Sequence, residues 1–207
     1  MRVTRAKQYR RYLRFFRIVY GITPPYKVIL DGNFLHQCIS TKVDIDRRLA
    51  SVLQGASFRL YTPKAAQDEL EALGPDFDAA FQFAKTHCRA IFGPRAVTVQ
   101  EGGSEEGQDG GGDDPAEQIA RAVGVDNPNK YIVATQDENL RVRLRKVPGC
   151  PLLHVSRTVL LMEGPSGKSK ADFERSERMK EVGLTEEEVS IVKGMKRKES
   201  EEKWTLR

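Results

Sequence analysis

The sequence lacks the features that would place it in several common protein classes. No run of about 20 apolar residues, the length that a membrane-spanning helix requires, occurs in it. Its N-terminus has no apolar stretch of the kind found in secretory signals. The three cysteines, Cys38, Cys88 and Cys150, form no CxxC pair, which argues against a disulfide scaffold and a cysteine-rich zinc module. These absences predict a soluble, intracellular protein.

Familiar catalytic motifs are also missing. The chain has no GxxxxGKS/T loop, no GxGxxG turn and no GxSxG elbow, so phosphate-loop, dinucleotide-binding and serine-hydrolase sites are not expected. His36, His87 and His154 lie far apart in the sequence and suggest no shared site. Any chemistry must therefore come from acidic or basic residues.

Charge is unevenly distributed along the 207 residues. The net charge is only +5, but the first thirty residues contain eight lysines or arginines and no acid, whereas residues 101–117 contain seven acids and no base. A dense positive block favours a polyanionic partner such as RNA. An Arg-rich, acid-free start also fits a mitochondrial transit peptide, although this segment has no serine and no obvious cleavage region.

Residues 4–18 are predicted to form a helix with a basic and an aromatic side. One interpretation is a surface helix whose arginines are merely solvated. The other, which we favour, is a basic helix that lies against RNA phosphates. A second basic segment follows residue 137, where Arg143 points away from its neighbours and is expected to be solvated. The RNA-binding candidates are Lys7, Arg10, Arg11, Arg14, Arg17, Arg141, Arg145 and Lys146.

Strands and helices are predicted to alternate in the middle of the chain. Short apolar runs predict strands at residues 26–30, 58–61, 131–135 and 152–155, and helices are predicted at 33–39, 44–54, 63–73, 76–88, 115–123 and 140–146. Thr62 and Pro63 have the chemistry of an N-cap followed by a first helical residue. The alternation predicts an α/β fold, a parallel sheet with helices on both faces.

Three regions are predicted from these patterns. Residues 1–22 form a basic N-terminal arm, residues 23–163 the sheet domain, and residues 164–207 a charged, polar helical extension. Within the domain, residues 101–114 hold six glycines and six acids, a composition that cannot bury apolar area and predicts a disordered loop.

Four acids are candidates for a site at one edge of the sheet. Asp31 and Asp137 follow predicted strands, and functional groups of parallel sheets collect at these strand ends. Glu69 lies two turns into one helix, and Glu117 lies in the first turn of another. Four converging carboxylates could bind Mg²⁺ or Mn²⁺, with Asp31 and Asp137 as the main candidate metal ligands. The bound ions could then support phosphodiester hydrolysis. The alternative is that the aspartates only cap helices and the glutamates are solvated.

Several segments together resemble a known protein family. They are MRVTRAKQYRRYLRFFR, GITPPYKVILDGNF, DELEALG, NPNKYIVATQDENLRVRLRKVPGCPLLHVSR and VLLMEGPS, and they extend over about residues 1–166. The chain resembles the UTP-twenty-three/FCF-one family of PIN-domain ribosome-biogenesis proteins, and its basic start is closer to the UTP-twenty-three branch.

The resemblance implies a PIN-like fold, a nucleolar location in the nucleus, and a place in the small-subunit processome during early 18S rRNA maturation. It implies pre-rRNA, an H/ACA-class snoRNA and other processome proteins as partners. It matches Asp31, Glu69, Glu117 and Asp137 to the acidic cluster of catalytic PIN domains, with Asn139 where the sibling branch often has a further acid. The UTP-twenty-three branch is commonly regarded as a degenerate nuclease.

One family feature is missing from this chain. Members often carry a Cys-Cys-His-Cys zinc motif, but the matching positions hold Ala65, about Phe92, about Pro94 and Gln118. A structural zinc site needs four nitrogen or sulfur ligands, so no zinc is predicted. Magnesium or manganese is the only cofactor that the acids suggest.

Three functional hypotheses follow. The first, which we favour, is an RNA-binding assembly factor whose PIN-like domain is a non-catalytic scaffold. The second is an active metal-dependent endoribonuclease that uses the four acids on pre-rRNA. The third is a mitochondrial nucleic-acid-binding protein, which would require cleavage after the basic arm.

Overall fold

The computed structural model describes residues 3–91 and 114–181, with side chains for residues 4–91 and 114–177. The chain divides into two units, Met1–Ser169 and Lys170–Arg207. The elements are α1 (Val3–Tyr20), β1 (Tyr26–Leu30), α2 (Gly32–Ser40), α3 (Ile45–Val52), β2 (Phe58–Pro63), α4 (Lys64–Ala72), α5 (Pro75–His87), β3 (Arg89–Ile91), α6 (Pro115–Val123), β4 (Tyr131–Ala134), α7 (Glu138–Leu144), β5 (Leu152–Ser156), β6 (Val159–Met162) and α8 (Gly167–Glu181).

The first unit is built on a six-stranded sheet with the order β3-β2-β1-β4-β5-β6. All neighbouring strands pair in parallel except β5 and β6, which are antiparallel. β1 lies at the centre, between β2 and β4, and its last residue Leu30 is in register with Ala134. The carboxyl ends of β1 and β4 therefore reach the same edge of the sheet, as the predicted parallel α/β fold requires.

Helices cover both faces of the sheet, which confirms that prediction. Val28 and Leu30 of β1 point into a core that α1, α2, α3 and α5 cover, whereas Ile29 points into a second core formed with α6 and α7. A strand that is buried on both faces needs apolar residues at every position, not at alternate ones. This is why β1 and β4 are continuous apolar runs in the sequence.

Helix α1 extends from Val3 to Tyr20, and its aromatic side packs on the larger core. Tyr9, Leu13 and Phe16 are buried. The chain leaves the helix at Gly21, whose φ of +63° is a left-handed conformation typical of helix ends. None of the described helices combines the length and apolarity that crossing a membrane would require.

Tyr20 anchors the end of α1 to the domain. Its ring packs so closely on Gly149 that a Cβ at that position would lie 2.5 Å from Tyr20 Cδ1. The Tyr20 hydroxyl donates a hydrogen bond to the Ser169 carbonyl at 2.8 Å, and the Gly149 N–H donates to Ser169 Oγ at 3.1 Å. Residues from three distant parts of the chain are thus joined at one point.

The structure corrects several local predictions. Thr62 does not cap a helix, because β2 continues through Pro63 and α4 begins at Lys64. The short strands β3 and β6 were not expected: β3 has only three residues, and β6 follows β5 after a two-residue turn in which Arg157 has a φ of +58°. The helix predicted over 140–146 begins earlier, at Glu138, where Asp137 caps it.

Two predicted segments fall largely outside the described residues. Of the predicted disordered loop 101–114, only Asp114 is described, and it caps α6 by accepting a hydrogen bond from the Ala116 N–H at 3.1 Å. Of the predicted C-terminal extension, residues 164–181 are described, and α8 forms most of them. The predicted region boundaries stay predictions.

Candidate functional site

Asp31 occupies the carboxyl end of β1 as a buried carboxylate. Only 5% of the residue is exposed, and its backbone N–H donates to the Ala134 carbonyl at 3.0 Å, which fixes it against β4. The pKa of Asp31 is raised to about 6, mainly by burial and to a smaller extent by the negative charges of Asp137 and Glu69. Hydrogen bonds from Thr135 and the Gly32 N–H act in the opposite direction. With a pKa of about 6, Asp31 is mostly ionised at pH 7 and becomes protonated in mildly acidic solution.

Thr135 links the two aspartates. Its hydroxyl donates to Asp31 Oδ2 at 2.7 Å and accepts a hydrogen bond from the Asp137 N–H at 3.1 Å. Asp137 Oδ1 in turn accepts the Asn139 N–H at 2.8 Å, so Asp137 is also the N-cap of α7. The capping alternative is therefore correct for this residue, and it coexists with a position beside Asp31. Sequence reasoning missed Thr135, although a hydroxyl directly after an apolar strand is a usable signal.

Glu69 reaches the same edge because α4 passes close to the start of α2. A Cβ at Gly32 would lie 3.6 Å from Leu70 Cγ and 3.7 Å from Ala66 Cβ, so these helices approach at van der Waals distance. Glu69 precedes Leu70, is exposed, and lies near enough to Asp31 for its charge to raise the Asp31 pKa. Three of the four predicted acids thus share one edge of the sheet.

Glu117 is paired with two arginines. Arg143 Nη1 and Nη2 donate to its two carboxylate oxygens at 2.5 and 3.2 Å, and Arg121 Nε lies 3.7 Å away. The hydrogen bond from Arg143 lowers the pKa of Glu117. Arg143 was expected to be merely solvated, and that expectation was wrong. Sequence reasoning could not find this ion pair, because it joins helices whose partners are 26 residues apart.

Whether the acids could bind one metal ion together depends on what their carboxylate oxygens already contact. Thr135 donates to one oxygen of Asp31, the Asn139 N–H donates to one oxygen of Asp137, and Arg143 donates to both oxygens of Glu117. Within the described part of the chain, no three acidic, histidine or cysteine side chains are grouped so that they could hold a metal ion. The four acids as placed do not form a ready-made ligand cluster, and their metal role stays a prediction.

Two of the positions matched to the missing zinc motif touch each other. The Ala65 N–H donates to Gln118 Oε1 at 3.2 Å, which joins α4 to α6. Residues 92 and 94 lie outside the described residues. A side-chain amide thus connects two helices at a place where the resemblance would have put metal ligands.

The basic side of α1 is exposed. Tyr9, Leu13 and Phe16 face the core, and the cations face away from it. Among residues 4–91 and 114–177, none of these cations forms an ion pair. The cations that the sequence predicted and that the structure leaves exposed on this helix are Lys7, Arg10, Arg11, Arg14 and Arg17.

The basic residues of α7 are in a different situation. Arg145 donates from Nε and Nη2 to Glu163 at 2.9 Å each and from Nη1 to Glu138 at 3.1 Å. Arg141 pairs with Glu138, and its Nη1 lies 3.5 Å from Glu163. Of the predicted RNA contacts at this helix, Lys146 alone is exposed and without an ion pair among the described residues. The ion pairs of Arg141 and Arg145 do not test whether these arginines contact RNA, so those contacts stay predictions.

Comparison with known proteins gives consistent similarities. A model of the Fcf1 family matches residues 51–164. The rRNA-processing protein utp23 of Schizosaccharomyces pombe is 30% identical over 203 residues, which cover 97% of this chain and 72% of that protein. The rRNA-processing protein FCF1 of Saccharomyces cerevisiae is 34% identical over 149 residues, or 72% of this chain and 70% of that protein. A solved structure of the PIN domain endonuclease Utp24 is 29% identical, covers 69% of this chain and 94% of its own, and has a TM-score of 0.55.

Proposed function

Because this chain belongs to the Fcf1 family, we propose that it is an rRNA-processing factor that binds RNA and does not cleave it. Its PIN-like domain is a scaffold within the small-subunit processome during early 18S rRNA maturation. Its partners are pre-rRNA, an H/ACA-class snoRNA and other processome proteins. It acts in the nucleolus, within the nucleus.

The observation that carries this proposal is the row of exposed cations on α1. These five residues have no ion-pair partner among the described residues, whereas Arg141 and Arg145 of α7 are already paired with glutamates. Unpaired positive charge at this density attracts a polyanion and supplies affinity through counterion release. Phosphate contacts of this kind position RNA without reading its sequence.

The acidic edge supports the scaffold half of the proposal. Hydrolysis by a PIN-type site would need several carboxylates free to face one cation. Here Glu117 is held by Arg143 in two hydrogen bonds, and Asp137 is committed in part to capping α7. A metal ion that used Glu117 as a ligand would compete with Arg143 for this carboxylate.

A metal-dependent endoribonuclease is the second candidate, and one observation favours it. Asp137 and Glu69 both lie close enough to Asp31 for their charges to raise its pKa. The solved relative at 29% identity is named an endonuclease. The two candidates differ in one measurable property, the cleavage of RNA.

RNA binding is tested by changing Arg10, Arg11, Arg14 and Arg17 to alanine. If all four contact phosphates, the slope of log K against log salt for a single-stranded pre-rRNA fragment should become shallower by about 3, since each contact contributes about 0.7. A matched control changes four exposed basic residues outside α1 to alanine: Arg47, Arg48, Lys85 and Arg89. An unchanged slope in the α1 variant would contradict the phosphate role.

Cleavage is tested with end-labelled RNA in the presence of an excess of Mg²⁺ or Mn²⁺. We expect no product, or very slow product formation, from the wild type. Strong Mn²⁺-dependent cleavage that Asp31→Asn and Asp137→Asn abolish would replace the scaffold by the nuclease. Asp126→Asn, which changes an exposed acid in the turn after α6, is the control for a general loss of charge.

A further inference from the structure

We propose that a cavity beside α1 binds one nucleotide of single-stranded RNA, with its base in the cavity and its phosphates on the α1 arginines. This inference rests on the proposed RNA binding and adds a defined site to it. The cavity has a volume of about 440 Å³ and lies between α1, the segment before β1 and the turn that joins α3 to β2. Ligand-binding cavities in proteins begin at about 300 Å³.

One wall of the cavity is a row of guanidinium groups. Arg10, Arg14 and Arg17 line it, at helical positions i, i+4 and i+7, which place them on one side of α1 along about 10 Å. All three are exposed, and no acid among the described residues forms an ion pair with them. Arg17 is near enough to Tyr26 to lower its pKa against the larger, opposite effect of burial. The row can therefore meet more than one phosphate of a nucleic-acid strand.

The floor of the cavity is apolar. The deeply buried Leu13, Tyr26 and Leu53 form its base, and the more exposed Pro24 and Ala56 complete the apolar lining. Gln54 also lines the cavity and is exposed, so its amide can both donate to and accept from the edge of a base. Single-stranded RNA is recognised by just this pairing of apolar or aromatic surface for the base and cations for the backbone.

The same features disfavour the other polyanions. Inorganic phosphate or polyphosphate would meet the arginines but leave the apolar floor without a partner. A peptide made of acidic residues alone, such as decaglutamate, would do the same, because it has no apolar group for the floor. Of these three anions, a nucleotide is the one that offers both a phosphate and a flat ring.

The position of the cavity fits holding RNA rather than cutting it. Tyr26 is the first residue of β1, and Asp31 directly follows its last residue, so the cavity and the acidic edge lie at opposite ends of this strand. Five strand residues extend about 16 Å. A nucleotide seated against Tyr26 is therefore kept away from the carboxylates.

The test compares three ligands on the full chain: a ten-nucleotide oligouridylate, a polyphosphate of the same charge, and a decaglutamate peptide. Arg14→Gln should weaken oligouridylate binding several-fold and make its salt dependence shallower, more than Arg5→Gln, which removes an exposed arginine of α1 outside the cavity. Ala56→Leu, which narrows the cavity without changing charge, should weaken oligouridylate binding at an unchanged salt slope and leave polyphosphate binding unaffected.

Crosslinking of 4-thiouridine-substituted oligouridylate to the wild-type chain gives a result that does not depend on the folding of any variant. We expect crosslinks at residues 24–26 or 53–56. Crosslinks elsewhere, with RNA still bound and Arg14→Gln equal to Arg5→Gln, would overturn the cavity and leave the proposed function intact. A complete failure to bind RNA would overturn both, and tighter binding of decaglutamate than of oligouridylate would replace the nucleotide by an acidic peptide.

Discussion

Asp31 is a carboxylic acid that the fold removes from water. Thr135 and the Gly32 N–H donate to it, yet its burial outweighs these bonds and raises the pKa to about 6. In the unfolded chain the same group titrates near 3.8. Between these two pH values the folded state binds more protons than the unfolded state, so the contribution of Asp31 to stability falls as the pH rises.

The first prediction concerns this pH dependence. In EDTA, Asp31→Asn should gain stability relative to the wild type as the pH rises from about 4 to about 7, because it cannot ionise. A pKa rise from 3.8 to about 6 corresponds to roughly 2–3 kcal/mol at neutral pH. Urea unfolding at a series of pH values measures the difference, with Asp126→Asn as an exposed control. A difference that does not vary with pH would contradict the prediction.

The second prediction concerns the contact between Gly149 and Tyr20. Gly149 and Gly55 both have positive φ, +65° and +75°, but a Cβ at Gly149 would meet Tyr20 Cδ1 at 2.5 Å, whereas a Cβ at Gly55 would meet nothing within 4 Å. Gly55→Ala should therefore cost about 1 kcal/mol of unfolding free energy from backbone conformation alone. Gly149→Ala should cost about 1–3 kcal/mol more, from overpacking.

Chemical denaturation of both variants measures these costs. Tyr20→Ala separates the steric clash from the backbone cost, because it removes the ring that the new methyl group would meet. In the Tyr20→Ala background, Gly149→Ala should therefore lose most of its extra cost. Equal costs for the two glycine variants would show that Tyr20 moves aside freely.

At the level of single residues, the sequence indicated where the acids lie but not what they contact. Asp31 and Asp137 could be placed at one edge because strand ends of a parallel sheet coincide there. The pairing of Glu117 with Arg143 depends on how α6 and α7 approach each other, and no local pattern encodes that distance. The role of Thr135 depends likewise on the register between β1 and β4.

Among the elements, the basic helices α1 and α7 differ in whether their basic side chains form ion pairs. The cations of α1 face solvent, whereas α7 packs beside Glu163 and carries its own Glu138, which pair with Arg141 and Arg145. Both helices are rich in arginine, but only α7 contains an acid of its own, Glu138. The pairing with Glu138 is visible in the sequence, whereas the pairing with Glu163 depends on a tertiary neighbour that the sequence pattern does not contain.

The third prediction follows from this difference. Arg145→Gln should lower the free energy of unfolding by about 0.5–1 kcal/mol, the modest value expected for a pair whose arginine side chain is 39% exposed. It should leave the salt dependence of RNA binding unchanged. Lys146→Gln, at an exposed neighbouring position, should leave stability unchanged. A shallower salt slope for Arg145→Gln would instead support an RNA contact at α7.

The predictable elements are those with strong local patterns. β1 and β4 are continuous apolar runs because both of their faces are buried. β3 has only three residues and no such run, and it forms at an edge of the sheet through pairing with β2. β6 is a short apolar run, VLLM, that was not predicted as a strand, and it forms the opposite edge through pairing with β5. Thr62 has cap chemistry, but pairing with Ala90 in β3 keeps it in β2 instead.

For the whole molecule, the acidic segment provides the fourth prediction. Replacement of residues 101–113 by a short Gly/Ser linker should leave the melting temperature within about 2 °C of the wild type, because this composition cannot bury apolar area. Asp114 is retained, since it caps α6. Asp114→Ala is the comparison: loss of a cap costs about 1 kcal/mol and should lower the melting temperature by a few degrees. A large drop with the linker would show that the segment packs.

The central position of β1 also determines when this protein can fold during its synthesis. β1 pairs with β4, about 100 residues later in the chain, a distance that a ribosome takes roughly 5–20 s to translate. During that interval the edge of β1 that will pair with β4 has no partner strand. An unpaired edge of an apolar strand promotes association between chains. Fragments that end before about residue 135 keep β1 in this state permanently. We therefore expect such fragments to need a chaperone or to aggregate, however well their helices form.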